Sequence, residues 1–259
     1  MSNMVKSLRH KNIMEMLNSK GAVSISEIAA SFGASMMTIR RDIDILEKNG
    51  QVCKMHGFAT LAGETAQPPF QERAGEFTEE KNRIGRAAAA MIKKDSIVMF
   101  DAGTSTLAIT QYIPEDLEFT AVTTGLMTAA ALCNCKKANI ICIGGNIHHS
   151  SYSVINYMGI EMLSRFRADL AFISTKAISL PEGLFEMYLP LIEIKKAIVS
   201  HSDKIVLLAD HSKFSAKALC LSVPLQDISL VITDDGLPEN VLKKLAEMGK
   251  EYLVAPGTA

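Results

Sequence analysis

The chain has few cysteines: Cys53, Cys133, Cys135, Cys142 and Cys220 in 259 residues. Their number is odd and their spacing forms no disulfide framework, which excludes the stapled secreted scaffolds and points to a reducing compartment. No signal-like apolar core opens the chain, and no apolar run reaches the roughly 20 residues that cross a bilayer. The expectation is a cytoplasmic protein without a membrane partner. Metal ligands are equally scarce. Cys133-x-Cys135 has no second pair and reads as thiols at a buried helix end, while adjacent residues such as His148 and His149 point different ways on most backbones. No metal and no cofactor is expected. Internal repeats and low-complexity stretches are lacking, and the net charge of −1 shows no strong excess of either sign.

What is present is a large apolar fraction, 48%, enough for roughly two domains at this length. Charge is unevenly spread. Residues 1–62 carry eight Lys/Arg and five Asp/Glu, so the head is basic by three and the remainder acidic by four. A basic head on an acidic body fits one domain that meets phosphates and another that avoids them.

Residues 24–57, SISEIAASFGASMMTIRRDIDILEKNGQVCKMHG, carry the most information. A first helix over 5–19 has Val5, Leu8, Ile13 and Leu17 near one face and stops at Gly21. Ser26 caps a short helix over 27–32, Gly33-Ala34-Ser35 turns, and Ser35 caps a third helix ending at Asn49-Gly50. Ile39, Ile43 and Leu46 recur at i, i+4 and i+7 as its buried stripe. Two short strands, 51–55 and 58–61, flank His56-Gly57. This is a winged helix-turn-helix, which lays its third helix in the major groove of double-stranded DNA.

With that stripe inward, Thr38, Arg40 and Arg41 face the other way. Arginine forks match guanine edges, and Ser35, Thr38 and the free amides of the helix start suit phosphate. Lys54 and His56 in the wing are placed for the flanking backbone. The competing reading pairs Arg40 with Asp44 at i, i+4 and leaves both arginines solvated.

Residues 62–70 form a linker stiffened by Pro68-Pro69. Beyond it, from 71 to 259, short apolar strands alternate with helices, the signature of an α/β domain with a mostly parallel sheet covered on both faces. The loop Asp101-Ala-Gly-Thr-Ser-Thr lies between a strand and a helix, where open α/β sheets bind ligands. Gly103 allows close backbone approach, and Thr104, Ser105 and Thr106 form an anion cradle with Asp101 left to accept from sugar hydroxyls. The plainer alternative is a capped turn. Thr123 and Thr124 follow the next strand, Gly144 and Gly145 the one after. Lys213 lies past the strand over 204–209 and is placed to neutralise an anion. Glu193 and Lys195 either reach the same rim or pair with each other.

TIRRDIDILEKNGQVCKMHGFA resembles the signature of DeoR-type bacterial regulators, T-I-R-R-D-L, L-E, G and a basic wing ending H-G-G-A. The resemblance runs through Phe70-x-x-Arg73, Lys81-x-x-Ile84, the 101–106 loop, Gly144-Gly145, Glu193-Ile-Lys195, Asp210-His-Ser-Lys213-Phe and Thr233-Asp234. It implies a DNA-binding regulator, usually the repressor of a carbohydrate operon. It also implies a homo-oligomer, dimer or tetramer, and a C-terminal domain similar to ribose-5-phosphate isomerases and glucosamine-6-phosphate deaminases that senses a small phosphorylated sugar. The rival is an enzyme of that isomerase or deaminase type with Asp101 or Glu193 as base, but no acid/base set with a histidine is visible. Against the family pattern, Thr123-Thr124 replaces T-N, and Phe172-Ile-Ser174-Thr-Lys176-Ala177-Ile-Ser179 replaces F-I-G-x-x-G-I-D. An added cation, Lys176, and a lost acid, at Ser179, shift the expected effector toward a sugar-acid phosphate.

Overall fold

The computed structural model describes residues 2–20, 22–55, 57–61 and 68–257. Gly21, His56 and most of the expected linker, 62–67, lie outside the described residues, as does the side chain of Val5. The chain divides into two compact units, residues 1–67 with 217–219 and residues 68–216 with 220–259.

The first unit runs α1 (Ser2–Lys20), β1 (Ala22–Ser24), α2 (Ile25–Ser31), α3 (Met36–Lys48), β2 (Val52–Met55) and β3 (Phe58–Leu61). Its sheet is antiparallel in the order β1-β3-β2. Ile13 and Leu17 of α1, Ile28 and Ala29 of α2, and Ile39, Ile43 and Leu46 of α3 close one core over Val52 and Ala59. Leu8 departs from its expected face and is 61% exposed. The cap of α2 is Ser24, whose Oγ accepts from the Glu27 amide at 3.0 Å, and not Ser26. The helix starts earlier because Ile25 is buried in the core and its amide donates to Gly57 O at 2.7 Å, which leaves Ser24 extended at the cap position.

The second unit is longer. Its elements are α4 (Phe70–Gly75), α5 (Thr78–Ala89), β4 (Ile97–Phe100), α6 (Thr104–Ile109), β5 (Thr120–Thr123), α7 (Leu126–Leu132), β6 (Asn139–Cys142), β7 (Ile147–His148), β8 (Ser153–Val154), α8 (Tyr157–Leu163), β9 (Ala168–Ile173), β10 (Ala177–Ser179), β11 (Gly183–Glu186), α9 (Leu189–Ser200), β12 (Ser202–Leu208), β13 (Cys220–Pro224), β14 (Leu230–Asp234), α10 (Glu239–Glu247) and β15 (Glu251–Ala255). Seven strands make one sheet in the order β15-β14-β12-β9-β4-β5-β6, and every neighbouring pair is parallel. Consecutive residues of each central strand enter opposite cores. Met99, Ala171 and Leu207 pack on the α8–α9 side, and Phe100, Phe172 and Leu208 on the α5–α6 side. That double burial is why the strands read as continuous apolar runs. On the second side α5 lies very close to α6: a Cβ on Gly85 would come within 2.8 Å of the Ala108 carbonyl carbon.

Several elements have no counterpart in the sequence reading. These are α4, edge strand β15, hairpin β7–β8, and an antiparallel sheet β10-β11-β13. Helix α8 begins at Tyr157, where the Asn156 side chain caps it by accepting from the Gly159 amide at 3.1 Å. Among the described residues, no helix is long and apolar enough to cross a membrane, and no group of three or more His, Cys, Asp or Glu is arranged to hold a metal. Of the expected thiol pair, Cys135 is buried and Cys133 exposed.

Candidate functional site

In the first unit, Ser35 caps α3, its Oγ accepting from the Thr38 amide at 3.2 Å and lying 2.9 Å from Thr38 Oγ1. The amphipathic stripe then turns Arg40 and Arg41 to solvent, where neither has an ion pair among the described residues. Asp44, the expected competitor for Arg40, is instead held by Lys54, whose Nζ lies 2.5 Å from Asp44 Oδ1. The Lys54 amide also donates to Glu47 Oε1 at 2.9 Å. Lys54 therefore joins the wing to α3, a different task from the backbone contact expected of it. Met36 and Met37, 40% and 59% exposed, add apolar surface at the helix start, of the kind that meets thymine methyls. Periodicity flagged neither.

Asp42, between the arginine pair and the core, is 2% exposed. Arg9 Nε donates to its Oδ2 at 2.5 Å and His10 Nε2 lies 3.0 Å from its Oδ1. Burial alone would raise the Asp42 pKa, but these bonds outweigh it and hold it below the usual carboxylate range. Helix α1 is thereby anchored to the helix that presents Arg40 and Arg41.

In the second unit, strand succession reverses between β4 and β9. The chain fills the sheet outward on one side through β5 and β6, then on the other through β12, β14 and β15. Ligand crevices open at such a switch point, beyond the carboxyl ends of the strands. Asp101 leaves β4 there and Ser174 leaves β9. Asp101 Oδ1 accepts from the Gly103 amide and Thr106 Oγ1, both at 2.8 Å. Its Oδ2 accepts from the Ser174 amide at 2.7 Å and Ser174 Oγ at 3.0 Å. Lys195 Nζ stands 3.4 Å from that oxygen, bonds Glu186 Oε1 at 2.7 Å and also donates to Ser174 O. Burial pushes the Lys195 pKa down, but Glu186 and Asp101 prevail and keep it charged.

This network corrects three expectations. Asp101 is 6% exposed with both oxygens engaged, so it organises the loop and has no lone pair left for a sugar hydroxyl. Glu193 does not reach the rim. Positions 193 and 195 lie about 200° apart around a helix, so Lys195 turns inward while Glu193 stays in solvent, 2.9 Å from Lys196 Nζ. Gly103 packs against Ser174: a Cβ there would sit 1.9 Å from Ser174 Oγ, so the close approach is to protein.

The other rim positions vary in how they are held. Thr104, Ser105 and Thr106 are buried, as are Thr123 and Thr124. Thr123 Oγ1 accepts from the Gly125 amide at 3.1 Å, and Thr124 Oγ1 has no hydrogen-bond partner among the described residues. Gly144 and Gly145 follow β6 at the sheet edge, two strands from β4. Gly145 has φ +144° and packs against Asn156, a local turn role.

Cations converge on the same end of the sheet. Lys176 is half-buried, and its pKa is lowered by burial first and then by Lys213 and Arg73. Lys81 is 4% exposed and bonds two backbone carbonyls, Arg73 O and Glu76 O. Burial, then Lys213 and Arg73, push its pKa down to about 8 against the opposing pull of Asp210 and Glu76. Lys213 lies 3.4 Å from Asp210 Oδ2 and 5.9 Å from the centre of the Phe77 ring. Beside it His211 Nδ1 is 2.7 Å from buried Asp234 Oδ2, and the ring meets Phe77 edge-on. Four cations are thus kept close together, partly out of water and against their mutual repulsion, with Asp210, Glu76 and Glu186 as the opposing charges. Arg73, Lys81, Glu186 and His211 were not singled out as site residues from the sequence. The only signal for them was membership of the quoted motifs, and for Glu186 there was none.

Residues 9–65 match the family model described as the DeoR-like helix-turn-helix domain, and residues 76–235 the one described as the DeoR C terminal sensor domain. The HTH-type transcriptional regulator YgbI of Escherichia coli is 34% identical over 248 residues, 95% of this chain and 97% of that one. The glycerol-3-phosphate regulon repressor of Escherichia coli is 29% identical over 244 residues, 94% and 97% of the two chains. Among solved structures, ribose 5-phosphate isomerase A of Methanocaldococcus jannaschii covers 53% of this chain and 54% of its own, at 12% identity and a TM-score of 0.40.

Proposed function

The chain belongs to the DeoR family of helix-turn-helix transcriptional regulators, and from that premise we propose that it represses a carbohydrate or sugar-acid catabolic operon under control of a phosphorylated effector. The carrying observation is the cluster Arg73, Lys81, Lys176 and Lys213 at one end of the parallel sheet. A dianionic phosphate there relieves the repulsion among four partly desolvated cations. Lys176 widens the demand for negative charge, which favours a sugar-acid phosphate over a neutral phosphosugar.

In this reading residues 1–61 grip operator DNA through Ser35, Thr38, Arg40 and Arg41, with Lys54 bracing the wing. Residues 71–259 sense the effector and hold the protomers of a dimer or tetramer together. Two heads on one assembly multiply an affinity that is modest for one. Phosphate neutralisation dominates that affinity, so it falls steeply with salt. A tenfold change in operator affinity needs about 1.4 kcal/mol of coupling between the sites. The relatives' names support a regulator and not a catalyst, and the engaged Asp101 and solvent-facing Glu193 leave both candidate bases of an isomerase out of position.

The test is calorimetry with a panel of sugar phosphates, aldonate phosphates and unphosphorylated sugars, paired with an operator-binding assay. Binding of a phosphorylated acid that alters operator affinity is the expected result. Binding confined to neutral sugars, or a bound ligand to which operator affinity is indifferent, refutes it.

A further inference from the structure

Arg73 belongs both to the cationic rim and to the stretch where the chain enters the second unit. Its Nε donates to Pro68 O at 2.9 Å and its Nη2 to Ser150 O at 3.3 Å. Pro68 follows directly on residues 62–67, the stretch leading from the DNA-reading unit. Ser150 lies in the turn of the β7–β8 hairpin. The guanidinium sits 5.5 Å from the Phe70 ring centre, and Phe70 meets the hairpin's Tyr152 edge-on at 5.7 Å. Gln71 Nε2 adds a bond to Tyr152 Oη at 3.3 Å. One side chain thus ties the entry of the chain, α4 and the hairpin together.

Nε and Nη2 form one edge of a planar fork. The edge made by Nη1 and Nη2 has no protein partner among the described residues beyond that Nη2 bond, and Arg73 lies within electrostatic range of Asp101, Glu186, Lys81 and Lys176. We propose that Arg73 carries the effector signal to the start of the second unit: an anion on the free edge of its guanidinium fixes the plane of the fork and tightens its hold on Pro68 and Ser150. Because the fork is rigid, fixing one edge aligns the other. An ammonium is a point charge on a flexible stem and transmits no such alignment. This inference rests on the anion-binding reading of the rim and adds the path by which occupancy leaves it.

The experiment is hydrogen exchange of the full chain with and without inorganic phosphate at a concentration that saturates the calorimetric signal. In the wild type, phosphate is expected to slow the amides of 70–76 and 150–154 together with those of 210–214. The slowing should be about fivefold, the lower end of usual coupling between sites. In Arg73→Lys, phosphate still slows 210–214, but 70–76 and 150–154 no longer respond. Arg73→Gln serves as a second variant, with the same loss at a higher saturating concentration. If phosphate protects 210–214 in the wild type and leaves 70–76 unchanged, the rim stands and the role of Arg73 is overturned. An Arg73→Lys variant that responds like the wild type overturns it too. No response anywhere removes the rim and this inference together.

Discussion

Raising the pH should weaken anion binding at the rim well before it damages the fold. Lys81 is the group that decides this, because its ammonium has a pKa of about 8, depressed by burial, Lys213 and Arg73. Only the protonated form attracts an anion. Affinity is therefore full below 8 and weakens above it. At pH 9.5 about 3% of an ammonium of that pKa remains charged, so binding that requires the charge weakens roughly thirtyfold between pH 7 and 9.5. The ligand does not confound the measurement, since the second ionisation of a phosphate ester is complete above about pH 7. Calorimetry with a sugar phosphate monoester across this range, on the wild type and on Lys81→Arg, reads the effect. The arginine variant keeps its charge and should lose less than about threefold. The unliganded protein should respond with the opposite sign. Its unfolded state binds more protons between about 8 and 10.5, so Lys81 destabilises the fold less as pH rises through that window. A wild-type affinity that changes less than threefold from pH 7 to 9.5, or an arginine variant that falls equally, refutes the reasoning.

Three further outcomes follow from the packing. Lys195→Met should cost about 3–5 kcal/mol in urea denaturation, since it strands the buried carboxylates of Asp101 and Glu186; Glu186→Leu added to it should recover part of the loss. Asp42→Asn should weaken the head by about 2 kcal/mol by breaking its charged bonds to Arg9 and His10. Because the Asp42 pKa is held low, the wild-type advantage should be present at neutral pH and vanish as pH falls below the carboxylate range. Arg41→Glu should abolish binding to operator duplex at low ionic strength while leaving phosphate calorimetry unchanged; retained operator binding would remove α3 as the reading helix.

Much of the head was legible because its determinants are local. Ser35 caps α3 through an amide three residues away, and Ile39, Ile43 and Leu46 face the core because a helix repeats every 3.6 residues. The one misplaced cap, Ser26 for Ser24, came from a contact no local pattern records, the Ile25 amide on Gly57. In the body, the apolar runs announced the strands, but the alternating chemistry of Glu193 and Lys195 could be assigned only once α9 had a buried side.

Periodicity and capping act over a few residues, so the order of residues along the chain was sufficient for a winged helix followed by parallel strands and covering helices. Which strands become neighbours is settled by burying both faces of one sheet, a condition on all strands at once. That condition set β9 beside β4 and brought Ser174 to Asp101 across 73 positions. It also gathered Arg73, Lys81, Lys176 and Lys213 from separate segments. A charge's neighbours in space, and hence the field an anion meets, belong to the folded molecule alone.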